Sequence, residues 1–143
     1  MSKILVGYDG SVASRRALDF AIEAAKGRGA SVVLVHVLEW SPFSFLTPNE
    51  IEERHKRRKL ELERAESAIL APVREEYKNT GVVLETDVKY GHIADTISTL
   101  AKADDVEQVV IGRNGHSVTG ARLFGSVAGS LAQSSPVSVT IVP

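Results

Sequence analysis

The sequence predicts an α/β domain in three layers, a parallel sheet with helices on both faces, and three observations predict it. Five short apolar, β-branched runs recur along the chain, segments of helical period separate them, and the runs are apolar on nearly every residue. A strand that is apolar on both sides is covered on both sides, which marks parallel strands joined by right-handed crossovers.

The runs occupy residues 4–8, 31–38, 82–89, 106–112 and 137–142. Between the first two, Ala13, Ala17, Leu18, Ala21, Ile22 and Ala25 recur at three- and four-residue steps, the period of one helix face, and Gly27 and Gly29 are expected to end that helix. Residues 48–79 carry Leu62, Ala65, Ile69, Val73 and Tyr77 on one face, with Pro72 expected to bend or interrupt the helix. Ile93, Ile97, Leu100 and Ala101 predict a third helix after Gly91, and Val127, Leu131 and Ala132 a fourth after Gly125-Ser126. The resulting order is β-α-β-α-β-α-β-α-β. The long irregular stretch, residues 39–47, holds Trp40, Pro42, Phe43 and Phe45.

At 143 residues the chain fits one domain, 1–143, with a core that needs no disulfide or metal. The net charge of -1 gives no overall basic field for nucleic acid, and the lack of cysteine excludes thiol catalysis and Cys-ligated zinc. Asp9 follows the first run too closely for a secretory signal, and no segment reaches the roughly 18 apolar residues of a membrane span, so the expectation is a cytoplasmic protein with no membrane partner.

Parallel sheets bind ligands beyond the carboxyl ends of their strands, where strand order reverses. After the fourth run the sequence continues Gly112-Arg113-Asn114-Gly115-His116, and Gly120 and Gly125-Ser126 close the loop. Glycine lets main-chain N–H groups approach a phosphate, and a helix starting at Gly125-Ser126 would aim its unpaired N–H groups and positive dipole end at the same point. Two readings stand at this level: an anion site, or simply a turn at Gly112 and Gly115 with a helix cap at Gly125-Ser126. The loop is not a Walker A motif, because Ser126 stands where its lysine would be, and no G-x-G-x-x-G follows the first strand.

The arrangement Gly112-x2-Gly115-x9-Gly125-Ser126 resembles the nucleotide-binding signature of the universal stress protein family at every signature position. The opening Ile4-Leu5-Val6-Gly7-Tyr8-Asp9-Gly10-Ser11, the run Val109-Val110-Ile111-Gly112 and Pro136-Val137 are similar to the family as well, so the resemblance covers essentially the whole chain. It implies a Rossmann-like fold with a five-stranded parallel sheet in the order 3-2-1-4-5 flanked by four helices. An intact glycine signature implies the ATP-binding subgroup, with Mg2+ or Mn2+ accompanying the nucleotide.

Carried onto this sequence, the resemblance implies phosphate contacts at the amides of Gly115, Gly125 and Ser126, with the Ser126 hydroxyl as an added donor, and places Gly112 beside the ribose. Asp9 matches the aspartate that accepts hydrogen bonds from the nucleotide, at ribose hydroxyls, near the cation; it also reads as an Asx-type cap on the first helix. Val37 matches the position that recognises adenine through main-chain groups. Arg113 either pairs with phosphates or faces water. The resemblance further implies a homodimer through the edge strand 137–142, which would cover an otherwise open apolar edge.

Other signals are set aside. The basic run 54–59 is interleaved with glutamates at i, i+4 spacing, as on a solvated helix face. His36, His55, His92 and His116 lie in separate segments without metal-ligand spacing, and no G-x-S-x-G elbow is present. Trp40, Phe43, Phe45 and Leu46 suit packing on the domain, a lid or a partner surface. The sequence therefore predicts an ATP-binding regulatory or stress-response protein without dedicated catalytic residues. Its alternatives are a slow ATPase or nucleotide-dependent transferase using the same pocket, and a partner-binding module with a vestigial pocket.

Overall fold

The computed structural model describes residues 2–39, 47–113 and 126–143. The elements run β1 Lys3–Gly7, α1 Val12–Arg28, β2 Ser31–Leu38, α2 Pro48–Ala65, a π-helical turn Glu66–Leu70, α3 Ala71–Tyr77, β3 Leu84–Tyr90, α4 Ile93–Leu100, β4 Val106–Gly112, α5 Ser126–Ser134 and β5 Ser138–Val142. The strands form one parallel sheet in the order β3-β2-β1-β4-β5, with α2, the π turn and α3 acting as a single interrupted helix.

Alternate residues of the strands enter two separate cores, except that β3 reaches only the first, through Leu84 and Val88, and carries Glu85, Asp87 and Lys89 on its other face. Ile4, Val6, Val32, Leu34 and Val110 meet Leu18, Ala21 and Ile22 of α1 and Leu70 and Val73 of the interrupted helix. Leu5, Val35, Val109 and Ile111 meet Ile97 of α4 and Ala128 and Leu131 of α5. This two-sided burial is why the central runs at β2 and β4 read as continuously apolar, and it yields the three layers expected.

Local chemistry sets the element ends. Ser11 caps α1 by accepting the Ser14 N–H at 3.1 Å, and Gly29 closes the helix in the left-handed region at φ 66°. Gly27 lies within the helix and does not stop it. Thr47 and Glu50 form a reciprocal capping box at the start of α2.

The interrupted helix departs from the expected apolar face. Its buried positions are Ala65, Leu70 and Val73, with Leu70 wholly enclosed and Ile69 only partly so. In the π turn the Ala71 N–H reaches the Glu66 carbonyl, five residues back, and one extra residue per turn moves the inward position from 69 to 70. Pro72 follows in the first turn of α3, so the disruption sits ahead of the proline.

Candidate functional site

The carboxyl end of the sheet holds a notch created by unequal strand lengths. The pairing of β1 with β2 stops at Gly7↔Val35, and that with β4 at Val6↔Val110, while β2 continues to Leu38 and β4 to Gly112. Strand order reverses at the β1/β4 boundary, so the notch lies at the topological switch point.

Main-chain direction follows from the bonds on either side. Tyr8 N–H donates to the Val35 carbonyl at 2.9 Å and Gly91 N–H to the Leu38 carbonyl at 3.0 Å, so Val35 faces β1 and Leu38 faces β3. Alternation therefore turns the N–H and C=O of Val37 toward β1, past its last paired residue. Arg113 N–H donates to the Val142 carbonyl at 2.7 Å, which turns Arg113 toward β5 and the main-chain groups of Gly112 back toward the notch. Val37 and Gly112 thus line opposite walls, two strand spacings or about 9.5 Å apart.

One side of the notch is bounded by the turn into α1. Asp9 accepts the Ser11 N–H on Oδ1 at 2.9 Å, and Gly10 takes φ 82°, a left-handed conformation that suits glycine. Asp9 thus forms an Asx turn leading into α1, while the helix cap itself is Ser11 rather than Asp9. Gly112 has a packing role that spacing alone does not reveal: a Cβ there would stand 2.8 Å from the Ala13 carbonyl carbon, in the first turn of α1.

On the opposite face α5 starts at Ser126, and a helix returning from a parallel strand points its N-terminus to the carboxyl end of the sheet. Asp9, Val37, Gly112, Arg113 and Ser126 accordingly gather at one end of the molecule, with Arg113 and Ser126 exposed. Gly115 and Gly125, together with Asn114, His116 and Gly120, lie outside the described residues, as do Trp40, Phe43, Phe45 and Leu46.

Two further polar groups lie at this end that the sequence did not single out. His36 is buried, with Nδ1 2.7 Å from the Tyr8 carbonyl oxygen; a carbonyl carries no proton, so Nδ1–H is the donor. The available signal was a polar residue near the ligand end of an otherwise apolar run. At the end of β3, the Tyr90 hydroxyl donates to Glu61 and the Arg58 guanidinium lies 5.1 Å from the ring centroid. Burial first, then the bond to Glu61 and its charge, push the Tyr90 phenol up to about 12, against the opposing charges of Arg58 and Arg54. The basic run is thus split: Arg54 and Arg58 are half-buried, whereas His55, Lys56, Arg57 and Lys59 are exposed.

Among the described residues no group of three or more metal-ligating side chains occurs, and no helix is long and apolar enough to cross a membrane.

Together these features define a doubly wound α/β protein in which main-chain groups, the Asp9 carboxylate and the start of α5 come together at the carboxyl end of the sheet. The profile of the universal stress protein family matches residues 1–143, and the chain belongs to that family. It is 30% identical to the universal stress protein YxiE of Bacillus subtilis, covering 99% of this chain and 98% of that protein. A Thermus aquaticus universal stress protein, encoded 3′ of a QAH/OAS sulfhydrylase, is 32% identical over 97% and 96% of the two chains. The fold matches universal stress protein UspA from Lactobacillus plantarum with a TM-score of 0.83 at 22% identity, covering 99% and 97%. Two further similar structures are ligand complexes. One is a universal stress protein with cAMP (TM-score 0.69, 24% identity, 99% and 97% covered) and the other the Archaeoglobus fulgidus protein with dAMP (0.67, 23%, 100% and 98%).

Proposed function

We propose that this chain binds an adenine nucleotide, ATP with a divalent cation, and acts as a nucleotide-dependent regulator in a stress response. The observation that carries the proposal is the notch between Val37 and Gly112. Main-chain N–H and C=O groups of one residue, freed where β1 stops, match the adjacent acceptor and donor on the edge of adenine. Asp9 stands at the turn where ribose hydroxyls would find an acceptor, and the N-terminus of α5 at Ser126 offers amides and a hydroxyl to phosphates. Gly112, Arg113, Gly115 and Gly125 complete the assigned set. The family, and relatives of the same fold solved with cAMP and dAMP, support an adenine nucleotide as ligand.

ATP fits the donor set, and the cation would ride on its phosphates, beside Asp9. The nucleotide's polyphosphate supplies the charge that such a cation neutralises. The chain's part is to hold the base, orient the ribose and cradle the tail. The sheet edge at β5 is assigned to a homodimer, in which a second β5 would cover it.

The test is to denature freshly purified protein, identify any released nucleotide by mass spectrometry, and titrate emptied protein with ATP and magnesium. Co-purified or millimolar-or-tighter ATP, weakened by Ser126→Leu, supports the reading. No bound nucleotide and no binding at millimolar ATP overturns it, and steady phosphate release abolished in Ser126→Leu would turn it toward a slow ATPase.

A further inference from the structure

Regular parallel pairing would continue one step beyond Gly7↔Val35. Val35 accepts from Tyr8 N–H, so the next bond of the ladder would run from the Val37 N–H to the Tyr8 carbonyl. That bond is not made, although both residues are described; the Tyr8 carbonyl takes the imidazole Nδ1–H of His36 instead, at 2.7 Å.

We propose that His36 is a positioning residue that ends the β1–β2 ladder: by occupying the Tyr8 carbonyl it keeps the Val37 amide open toward the notch. The same bond fixes the peptide plane joining Tyr8 to Asp9. The residues on either side of that plane are anchored as well, Tyr8 by its N–H to the Val35 carbonyl at 2.9 Å and Asp9 by its carboxylate, which accepts the Ser11 N–H at 2.9 Å. His36 does not act through its charge. A buried imidazole bonded to the Tyr8 carbonyl and in register with Val88 donates from Nδ1 in either of its Nδ1–H forms.

The ladder part of the proposal stands on geometry alone; its consequence for ATP rests on the function proposed above. The experiment separates the two. Amide hydrogen exchange of Val37, followed by NMR in nucleotide-free protein, is compared for wild type, His36→Leu, His36→Asn and His36→Gln. Asparagine carries an amide nitrogen at the δ position, where Nδ1 sits, whereas glutamine places it one bond further out.

In His36→Leu the Val37 amide is expected to acquire the Tyr8 carbonyl and exchange about tenfold more slowly, the scale of one hydrogen bond. His36→Asn keeps the wild-type rate. Where His36→Leu does not fold, His36→Gln carries the same expectation. In the ATP titration, the variant with the slowed amide binds roughly three- to tenfold more weakly and asparagine restores affinity. Unchanged Val37 exchange in a folded leucine or glutamine variant overturns the proposal while leaving the nucleotide reading intact. Slowed exchange in a protein that binds no ATP supports the ladder role and sinks the nucleotide reading.

Discussion

Gly112 lies against Ala13 so closely that a Cβ on it would stand 2.8 Å from the Ala13 carbonyl carbon and 2.9 Å from its Cβ. Both neighbours are rigid parts of the first turn of α1. Gly112→Ala must push the helix start away from β4, an overpacking that costs about 1–3 kcal/mol. At Gly7 the nearest atoms are the ends of flexible side chains, Ile111 Cδ1 at 2.8 Å and Ile97 Cδ1 at 3.0 Å. Urea unfolding is therefore expected to show Gly112→Ala as the more damaging of the two; equal or reversed losses would contradict the contact.

Ser11 caps α1 directly beside Asp9. Ser11→Ala removes the acceptor for Ser14 N–H and is expected to lower stability by about 1 kcal/mol, whereas Ser11→Asp retains most of it. Chemical denaturation of both variants checks the ranking.

The π turn fixes the inward position at Leu70. Leu70→Ala is expected to cost about 2–5 kcal/mol, and Ile69→Ala less, because Leu70 is completely buried while Ile69 is only partly covered. An unbroken α-helical period would reverse that order, so thermal unfolding of the pair discriminates between the two geometries.

Tyr90 supplies a pH dependence whose sign can be worked out. Its folded-state pKa is pushed up to about 12 by burial, then by Glu61, against about 10 in an unfolded chain. Between those values the folded state retains a proton that the unfolded state has released. Tyr90 therefore contributes stability fully below pH 10, and the contribution is lost as pH rises toward 12. Tyr90→Phe should be less stable than wild type at pH 8, and the gap should narrow from pH 10 to 12; a constant gap in alkaline melts would refute the assignment.

Val142 faces β4, where its carbonyl accepts from Arg113, so Val139 and Ile141 turn their N–H groups to the open edge. Val139→Pro removes an outward donor without breaking a β4–β5 bond. Light scattering is expected to give a dimer mass for wild type and a monomer mass for this variant, with circular dichroism retained. A monomeric wild type at micromolar concentration would remove the dimer.

Much of the fold was legible because burial on both sheet faces leaves an unmistakable trace: 31–38 and 106–112 are bounded in the structure as the apolar runs bound them. The buried face of α1 was likewise readable from its period, whereas the cap read at Asp9 falls on Ser11. Leu70 was not, because a π turn breaks the period that sequence reading assumes, and no single residue type announces it. At the ligand end, the clustering of Asp9, Val37, Gly112 and Ser126 follows from topology, which strand order alone carries. The dual duty of Gly112 and the partner of His36 are contacts between segments far apart in the chain, which periodicity cannot express.

The surplus residue in the π turn also acts as a setting on everything upstream of it. One residue corresponds to about 100° of helical rotation, so deleting Ser67 would re-clock α2 about its own axis while Val73 stayed seated. Arg58 would swing off the Tyr90 ring and Glu61 away from its hydroxyl. The azimuth of a largely solvent-facing helix, and with it the direction in which its cationic side chains point, is thus dialled by a single position more than one turn away.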